Sequence, residues 1–290
     1  MLRDYLLEWC REKIEDSPSG CCGHHCDNQE YCEHDCKKCL DQVHRYPFEL
    51  GRPDYTCSNL LLRYVLHFTD RYSRQIASAL DLIDHSSYSQ FNIFSIGCGG
   101  TPDLMAFEEV TEKPIYYKGY DRNTFWHEIH SVIEQYADEI AGFDVKLRRQ
   151  DIFDVLSLGK PKSKQYNVVV IQYLLSHLYN TEQENQTIQL FRGIINNIIA
   201  RRLPNSPFLI IITDIDSRFK GRGDWYRFLD ILEDAGYHGH AYAKSAFPTG
   251  DLGRERWSRH KQSKCFGNIE YTYIQNYSEH DGAQLIIELR

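Results

Sequence analysis

Long apolar runs are missing from this chain of 290 residues. No stretch approaches the roughly 20 consecutive apolar residues that a helix needs to cross a bilayer, so a membrane-spanning helix is not expected. The opening segment, MLRDYLLEWCREKIED, contains acidic side chains and lacks the basic, apolar and small-residue regions of a signal peptide. Internal repeats and low-complexity tracts are also absent. We therefore expect a soluble cytoplasmic protein that does not act at a membrane.

An excess of basic charge is lacking as well. The net charge of −8 argues against a protein whose whole surface binds nucleic acid, although it leaves room for a local basic patch. With 42% hydrophobic and 26% charged residues, the composition is that of a globular protein. The length indicates one large domain or two small ones.

Aliphatic side chains are almost absent from residues 21–44, CCGHHCDNQEYCEHDCKKCLDQVH, so this segment cannot form a hydrophobic core of its own. It holds six of the ten cysteines. In a cytosolic chain, clustered cysteines are more often metal ligands than disulfide partners. A structural zinc ion takes four ligands, which usually come in closely spaced pairs. We therefore predict a Zn²⁺ site whose ligands come from Cys22, Cys26, Cys32, Cys36 and Cys39.

Two alternatives to a single zinc ion stay open. A second zinc ion would recruit histidines of the same segment, namely His24, His25, His34 or His44. The spacing Cys32-x3-Cys36-x2-Cys39 is the one that radical S-adenosylmethionine enzymes use to hold an iron–sulfur cluster. In those enzymes the motif follows the first strand of a partial barrel, whereas here it precedes a doubly wound pattern. Zinc is therefore the preferred prediction.

From residue 91 onwards, apolar strand patterns alternate with amphipathic helix patterns. The predicted strands cover 91–97, 114–121, 144–152, 166–174, 207–216, 268–277 and 283–290. Such alternation predicts an α/β fold with a doubly wound, parallel sheet, which has seven strands here. Residues 59–290 would form this domain. Residues 1–58 would form a small N-terminal extension that contains a helix and the metal-binding segment.

A glycine-rich turn, SIGCGGTP at 95–102, follows the first predicted strand. Glycine lets the backbone turn tightly and lets a ligand come close to the chain near a helix N-terminus. Asp121 ends the second strand, where an acidic side chain can accept hydrogen bonds from both hydroxyls of a ribose. Asp151 ends the third strand, where it would bind an adenine amino group. The fourth strand adds Gln172, Tyr173 and His177 at the same carboxyl edge, which is where ligands of open α/β sheets bind.

With SIGCGG, GYD, QDIFD and NVVVIQYLLSHL in this order, residues 60–290 resemble the class I S-adenosylmethionine-dependent methyltransferases. The resemblance implies a Rossmann-like sheet whose last strands form an antiparallel pair at one edge. It also implies S-adenosylmethionine as cofactor and methyl transfer as activity. The cofactor-binding residues that it implies are Gly97, Cys98, Gly99, Asp121, Arg122, Asp151, Ile152 and Gln172. An NAD-binding Rossmann protein is the nearest rival, disfavoured because the turn reads GxGGTP and not GxGxxG.

Two positions of the turn depart from the family pattern. Ser95 stands where the family usually has an acidic residue, and Thr101 replaces its third glycine. The fourth strand also lacks the Asn/Asp-Pro-Pro-aromatic motif of enzymes that methylate exocyclic amines of bases. Tyr173 and His177 are the predicted catalytic residues, which would contact the acceptor or remove its proton. In the alternative, Tyr173 packs over the cofactor and His177 caps the sheet edge.

A basic segment at 244–264, KSAFPTGDLGRERWSRHKQSK, lies between the fifth predicted helix and the last strands. Its basic side chains alternate with aromatic ones, a combination that binds phosphates and stacks on bases. The acceptor is therefore predicted to be RNA or another phosphate-bearing molecule, with a solvated loop as the alternative. The function predicted is that of a methyltransferase. An iron–sulfur enzyme that uses the same cofactor, and a binding protein without catalysis, are the alternatives.

Overall fold

The computed structural model describes residues 1–15, 36–45, 55, 57–157, 165–180, 183, 185–204, 206–215, 224–245, 265–266, 270–273 and 282–290. Three of the predicted metal ligands, Cys22, Cys26 and Cys32, lie outside these residues. The basic segment lies outside them from residue 246 to residue 264. The metal site and the phosphate-binding role of this segment therefore stay predictions.

The described residues form strands and helices in alternation along the chain. The strands are β1 (Phe91–Ile96), β2 (Ile115–Tyr120), β3 (Phe143–Arg148), β4 (Val168–Gln172), β5 (Phe208–Ile215), β6 (Gly239–Ser245), β7 (Glu270–Tyr273) and β8 (Gly282–Leu289). The helices are α1 (Leu2–Glu15), α2 (Cys36–Arg45), α3 (Ser58–Leu80), α4 (Pro102–Val110), α5 (His127–Asp138), α6 (Ile152–Ser157), α7 (Leu174–Asn180), α8 (Asn185–Asn197) and α9 (Asp224–Asp234). None of the helices in these described ranges is long and apolar enough to cross a membrane.

These strands form one sheet in the order β3-β2-β1-β4-β5-β8-β6-β7. Strands β1 to β5 are parallel to one another, and β8 runs antiparallel to both β5 and β6. Every residue of β1 is buried, as a central strand covered on both faces requires, while the edge strand β3 alternates buried and exposed positions. The predicted α/β fold with a mainly parallel sheet is confirmed.

Among the described residues the sheet has eight strands, one more than the seven predicted. An antiparallel pair is present near the far edge, but its members are β6 and β8. Strand β6, with the sequence GHAYAKS, was not predicted because it has no β-branched residues, and the buried side chains described in it, those of Ala241 and Ala243, are small. The predicted strand at 268–277 is the short β7, which pairs with β6 in parallel as an extra edge strand.

The N-terminal helices pack directly on the helices of the sheet domain. Helix α1 contacts α3, α4 and α5, and buries Leu2, Leu6 and Cys10. Helix α2 contacts α3, where Cys39 and Leu40 are buried. The predicted boundary at residue 58 coincides with the start of α3, and the division into two domains stays a prediction.

Candidate cofactor site

The glycine turn leaves β1 in a left-handed conformation. Gly97 has φ of 66° and Gly99 has φ of 47°, and Thr101 adopts φ of 57° just before α4. The turn is tied to β2, because the N–H groups of Gly97 and Cys98 donate to the carbonyl of Tyr120 at 2.8 and 3.1 Å. Glycine adopts such angles without strain, whereas the left-handed conformation is unfavourable for the β-branched Thr101. The turn therefore has a fixed shape at the carboxyl edge of the sheet.

Two of the turn's glycines are required by the packing of the protein itself. A Cβ atom on Gly99 would lie 3.3 Å from the Trp126 ring, and one on Gly100 would lie 3.0 Å from the Val65 side chain of α3. By contrast, a Cβ on Gly97 would meet only Leu174, at an ordinary 3.5 Å. Gly97 is therefore favoured by its backbone angle, Gly99 by its angle and by the nearby Trp126 ring, and Gly100 by packing alone.

The acid predicted to bind a ribose lies next to this turn. Asp121 accepts hydrogen bonds from the N–H groups of Gly99, at 3.0 Å, and Asn123, at 2.9 Å, one on each carboxylate oxygen. Burial raises the pKa of Asp121 to about 6, against the smaller opposing effects of these two N–H groups and of Arg122. The side chain of Arg122 itself is exposed. The structure thus brings Asp121 and Gly99 together as the sequence predicts.

His130, which the sequence pattern did not single out, binds the carbonyl group of Gly99, whose N–H is bound by Asp121. The Nε2 atom of His130 lies 2.8 Å from the Gly99 carbonyl oxygen and donates to it. The ring is fully buried, and it lies parallel to the Trp126 ring with centroids 6.1 Å apart. Burial lowers the pKa of His130 to about 4, so the ring is neutral at neutral pH. The sequence signal for a buried His130 was its position among apolar residues on one face of the helix HEIHSVIEQYAD.

A buried carboxylate lies beside Ser95, where the family resemblance leads one to expect an acid. Asp103, which is 1% exposed, accepts a hydrogen bond from the Tyr117 hydroxyl at 2.9 Å and another from Ser95. Burial raises the pKa of this carboxyl group. Nothing in the sequence distinguished Asp103, because acidic residues are common in the first turn of any helix.

The end of β3 carries the residues predicted to contact an adenine. Asp151 accepts a hydrogen bond from the N–H of Phe153 at 2.8 Å, so it caps the short helix α6. Ile152 is buried in the first turn of that helix. Strands β2 and β3 are neighbours, and the N–H of Asp121 donates to the carbonyl of Arg148 at the end of β3. Asp151 therefore lies beyond the strand next to Asp121.

The carboxyl edge has a second half, formed by β4, β5 and β8. A row of polar side chains crosses these three strands. Gln172, Thr213 and Gln284 are in register on these adjacent strands. The Gln172 amide donates to the carbonyl of Tyr72 at 3.0 Å, and the Gln284 amide donates to the carbonyl of Gln75 at 2.8 Å and to Thr213 at 3.0 Å. This polar row, defined as Gln172, Thr213 and Gln284, therefore attaches helix α3 to the sheet.

Tyr173 follows the polar row in a strained position. It has φ of 55°, which is unfavourable for an aromatic residue, and its N–H donates to the carbonyl of Thr213 at 2.8 Å. Its hydroxyl exchanges hydrogen bonds of 2.9 and 3.1 Å with the Gln75 side chain, and its ring stacks on Tyr72. His177 lies one turn further along α7 and is half-buried. Catalytic roles for Tyr173 and His177 stay predictions.

The described part of the cysteine-rich segment contains two of the predicted metal ligands. Cys36 and Cys39 lie one turn apart on α2, and both are buried. Within the ranges that the structure describes, no three histidine, cysteine or acidic side chains form a group able to hold a metal ion. Zinc and the iron–sulfur alternative therefore stay predictions.

No protein-family model matches this sequence, and no curated protein sequence matches it. Solved structures with a similar fold include the plantazolicin methyltransferase BpumL in complex with SAH, at 11% identity and a TM-score of 0.46, covering 97% of this chain and 100% of that one. A SAM-dependent methyltransferase from Archaeoglobus fulgidus is 13% identical with a TM-score of 0.42, covering 78% of this chain and 99% of that one. A probable spermidine synthase from Corynebacterium glutamicum ATCC 13032 is 13% identical with a TM-score of 0.42, covering 76% of this chain and 63% of that one.

Proposed function

We propose that this chain binds S-adenosylmethionine at the carboxyl edge of its sheet and transfers the methyl group to an acceptor. The observation that supports this most is the hydrogen bond between Asp121 and Gly99, which joins the acid after β2 to the turn after β1. Ligands of open α/β sheets bind at this place, between strands whose connections lead to different faces. The resemblance in SIGCGG, GYD and QDIFD supports the same proposal.

The groups present fit an adenosyl cofactor. Each Asp121 oxygen accepts one backbone N–H, and a carboxylate oxygen can accept two hydrogen bonds, so both oxygens have capacity for ribose hydroxyls. By the resemblance, Gly97 would pass against the methionine part, next to the Leu174 side chain that borders its Cβ position at 3.5 Å. Asp151 and Ile152 would flank the adenine at the neighbouring strand.

When bound, the cofactor supplies a methyl group on a positively charged sulfur atom. Transfer to a good nucleophile mainly requires alignment and exclusion of water, so no dedicated base is necessary. The chain would provide both. Asp121 and Gly99 fix the edge, and α3 covers the turn through Val65 and covers the end of β4 through Tyr72.

The acceptor stays at the level of a proposal. A phosphate-bearing acceptor, RNA among them, rests on the basic segment 244–264, and a structural zinc ion rests on the cysteine spacing of the segment 21–44. The proposed cofactor site depends on neither of these segments, because its residues lie at the ends of β1, β2 and β3.

The test is calorimetric titration with S-adenosylmethionine and S-adenosylhomocysteine. Micromolar binding is expected for the unmodified chain. Asp121→Ala is expected to weaken it by at least about tenfold, because even one hydrogen bond to a charged group contributes about 1.5–3 kcal/mol.

The matched control is Asp144→Ala, which removes an exposed acid near the opposite end of the neighbouring strand β3. It should leave the affinity unchanged. Absence of binding by the unmodified chain, or equal loss in both variants, would overturn the proposal.

A further inference from the structure

A groove lies between helices α6 and α8, and we call it the α6–α8 groove. Its floor is apolar and consists of Phe153 and Leu156 from α6 and Ile188 from α8. Leu156 is buried, whereas Phe153 and Ile188 are half-buried and therefore still present apolar surface. The groove has a volume of about 390 Å³ and is partly open to solvent.

Two contacts hold the helices together and give the α6–α8 groove its shape. The side-chain amide of Asn197 donates to the carbonyl of Leu156 at 2.9 Å, which fastens the end of α6 to α8. Gly193 lies inside α8, and a Cβ atom there would be 2.9 Å from the Cδ1 atom of Leu156. Glycine inside a helix is less stable than alanine, and here its small size lets Leu156 pack closely against α8. The groove is therefore preformed by packing.

One cation lies at the rim of the groove. Asn185, Ile188 and Arg192 are spaced so that they share one face of α8, and all three line the groove. The Arg192 side chain is exposed and forms no ion pair with any residue that the structure describes. Acidic residues outnumber basic ones in the whole chain, 41 to 33, yet none of the described residues that line the groove is acidic. The charge at the described part of the groove therefore favours an anion.

The chemistry of the lining residues indicates which anion would fit. A guanidinium group presents a planar pair of N–H donors that matches the two oxygens of a carboxylate. The apolar floor favours a hydrocarbon body attached to that carboxylate. A volume of about 390 Å³ lies within the range of small-molecule pockets, roughly 300–1,000 Å³. A small amphipathic anion therefore fits better than a segment of another protein.

We propose that the α6–α8 groove binds a small monocarboxylate with an apolar body, with its carboxylate on Arg192 and its body on Phe153 and Ile188. This site goes beyond the proposed function and does not depend on it. The two sites are neighbours along the chain, because Asp151, which is assigned to the adenine, accepts the N–H of Phe153 at 2.8 Å. The experiment must therefore distinguish them.

The experiment titrates 4-phenylbutanoate into the unmodified chain and follows the backbone amide signals of α6 and α8 by nuclear magnetic resonance. Two compounds with the same body serve for comparison, the neutral 4-phenylbutan-1-ol and the positively charged 4-phenylbutan-1-amine. Saturable shifts are expected near Arg192. The carboxylate should bind about twofold to fivefold more tightly than the alcohol, because an exposed ion pair contributes modestly, and the amine should bind most weakly.

Two variants separate the charge from the apolar floor. Arg192→Gln should remove the preference for the carboxylate over the alcohol while binding of the alcohol remains. Ile188→Ser should weaken both compounds alike, by about threefold or more, because it removes apolar contact area. Ile188→Ala replaces it if thermal unfolding shows that the serine variant has lost its fold.

Arg11→Gln is the matched control for charge. It makes the same change at an exposed arginine of α1, a helix that packs on the other face of the sheet, and should leave the preference unchanged. The proposal is overturned if the carboxylate produces no saturable shifts in α6 and α8. It is also overturned if the alcohol or the amine binds as tightly as the carboxylate, or if the preference survives in Arg192→Gln.

A second titration of the carboxylate, with S-adenosylhomocysteine present at saturation, distinguishes the groove from the proposed cofactor site. Unchanged affinity for the carboxylate supports two separate sites. Competition between the two compounds would assign the groove to the cofactor pocket and overturn the proposal. If the chain does not bind S-adenosylhomocysteine, the proposed function fails, and the first titration still decides whether the groove binds the carboxylate.

Discussion

The two halves of the carboxyl edge are held together in different ways. At the β1–β2 half, the Gly99 peptide is fixed by groups from the next loop and helix, Asp121 on its N–H and His130 on its carbonyl. At the β4–β8 half, side chains of the polar row reach across to backbone carbonyls of α3. The first half is therefore preformed by contacts within about 30 residues of sequence, whereas the second depends on a helix from a distant part of the chain.

The two halves should therefore respond differently when packing elsewhere in the protein is disturbed. A backbone turn bonded on both sides keeps its shape when distant packing is disturbed. The hydrogen bonds from the polar row to α3 form only while α3 lies on the sheet.

The largest effect is expected in the polar row. Gln284 is 2% exposed and makes two hydrogen bonds, so Gln284→Ala should lower the free energy of unfolding by about 3 kcal/mol through lost bonds and a cavity. Urea denaturation measures this loss. Gln189→Ala, an exposed glutamine on α8, is the control.

Hydrogen exchange on the same variant sharpens the contrast. The amides of α3 near Tyr72 should exchange faster, while the Gly99 amide, which Asp121 binds, should stay protected. Equal loss of protection at both places would show that the two halves are not separately stabilised.

The second effect concerns His130. His130→Leu removes the donor to the Gly99 carbonyl and should lower the free energy of unfolding by about 2 kcal/mol. Because the turn would lose one of its two fixed sides, affinity for S-adenosylmethionine should also fall. Thermal unfolding and calorimetry measure the two quantities.

His127→Leu is the matched control, since it changes an exposed histidine one turn earlier in the same helix. Unchanged affinity in His130→Leu would show that the Asp121 bond alone is sufficient to fix the turn.

The third effect is a pH dependence of cofactor binding. In the proposed site, ribose hydroxyls would donate to the ionised form of Asp121, whose pKa burial raises to about 6. At pH 5 about one tenth of the groups are ionised, so affinity should be about tenfold weaker than at pH 8, a difference of about 1.4 kcal/mol. In Asp121→Asn the dependence should disappear. A dependence that survives in this variant would assign it to another group.

Stability should respond to this group in the same pH range, with a defined sign. The pKa of Asp121 is higher in the folded chain than its ordinary value of 3.8, so the folded state binds the proton more tightly. The stability that this provides is present at low pH and is lost as the pH rises through about 6. Bound cofactor should oppose that loss, because it favours the ionised form.

The smallest effect is expected at Arg122, which the resemblance places among the cofactor-binding residues. Its side chain is exposed and acts on Asp121 as a minor influence. Arg122→Ala should weaken binding by less than about twofold at neutral pH, because exposed charges interact weakly. A tenfold loss in the same titration would show that Arg122 contacts the cofactor directly.

The sequence predicted the parts of the site that local patterns encode. Apolar strands, the glycine turn and Asp121 were recognisable because strand ends of a parallel sheet meet at one edge. The contacts of α3 were not, since the bond between Gln284 and Gln75 joins residues 209 positions apart. Likewise β6 is held by its pairing with β8 and not by its own weak strand propensity.

Helix α3 touches both halves of the edge, and this fixes their spacing. Val65 lies on Gly100 at one half, and Gln75 accepts the Gln284 bond at the other. Ten residues of helix place these contacts about 15 Å apart. A single residue inserted between them would add about 1.5 Å and rotate one contact by about 100° around the axis. The length of this helical segment is therefore as tightly constrained as any side chain in the site.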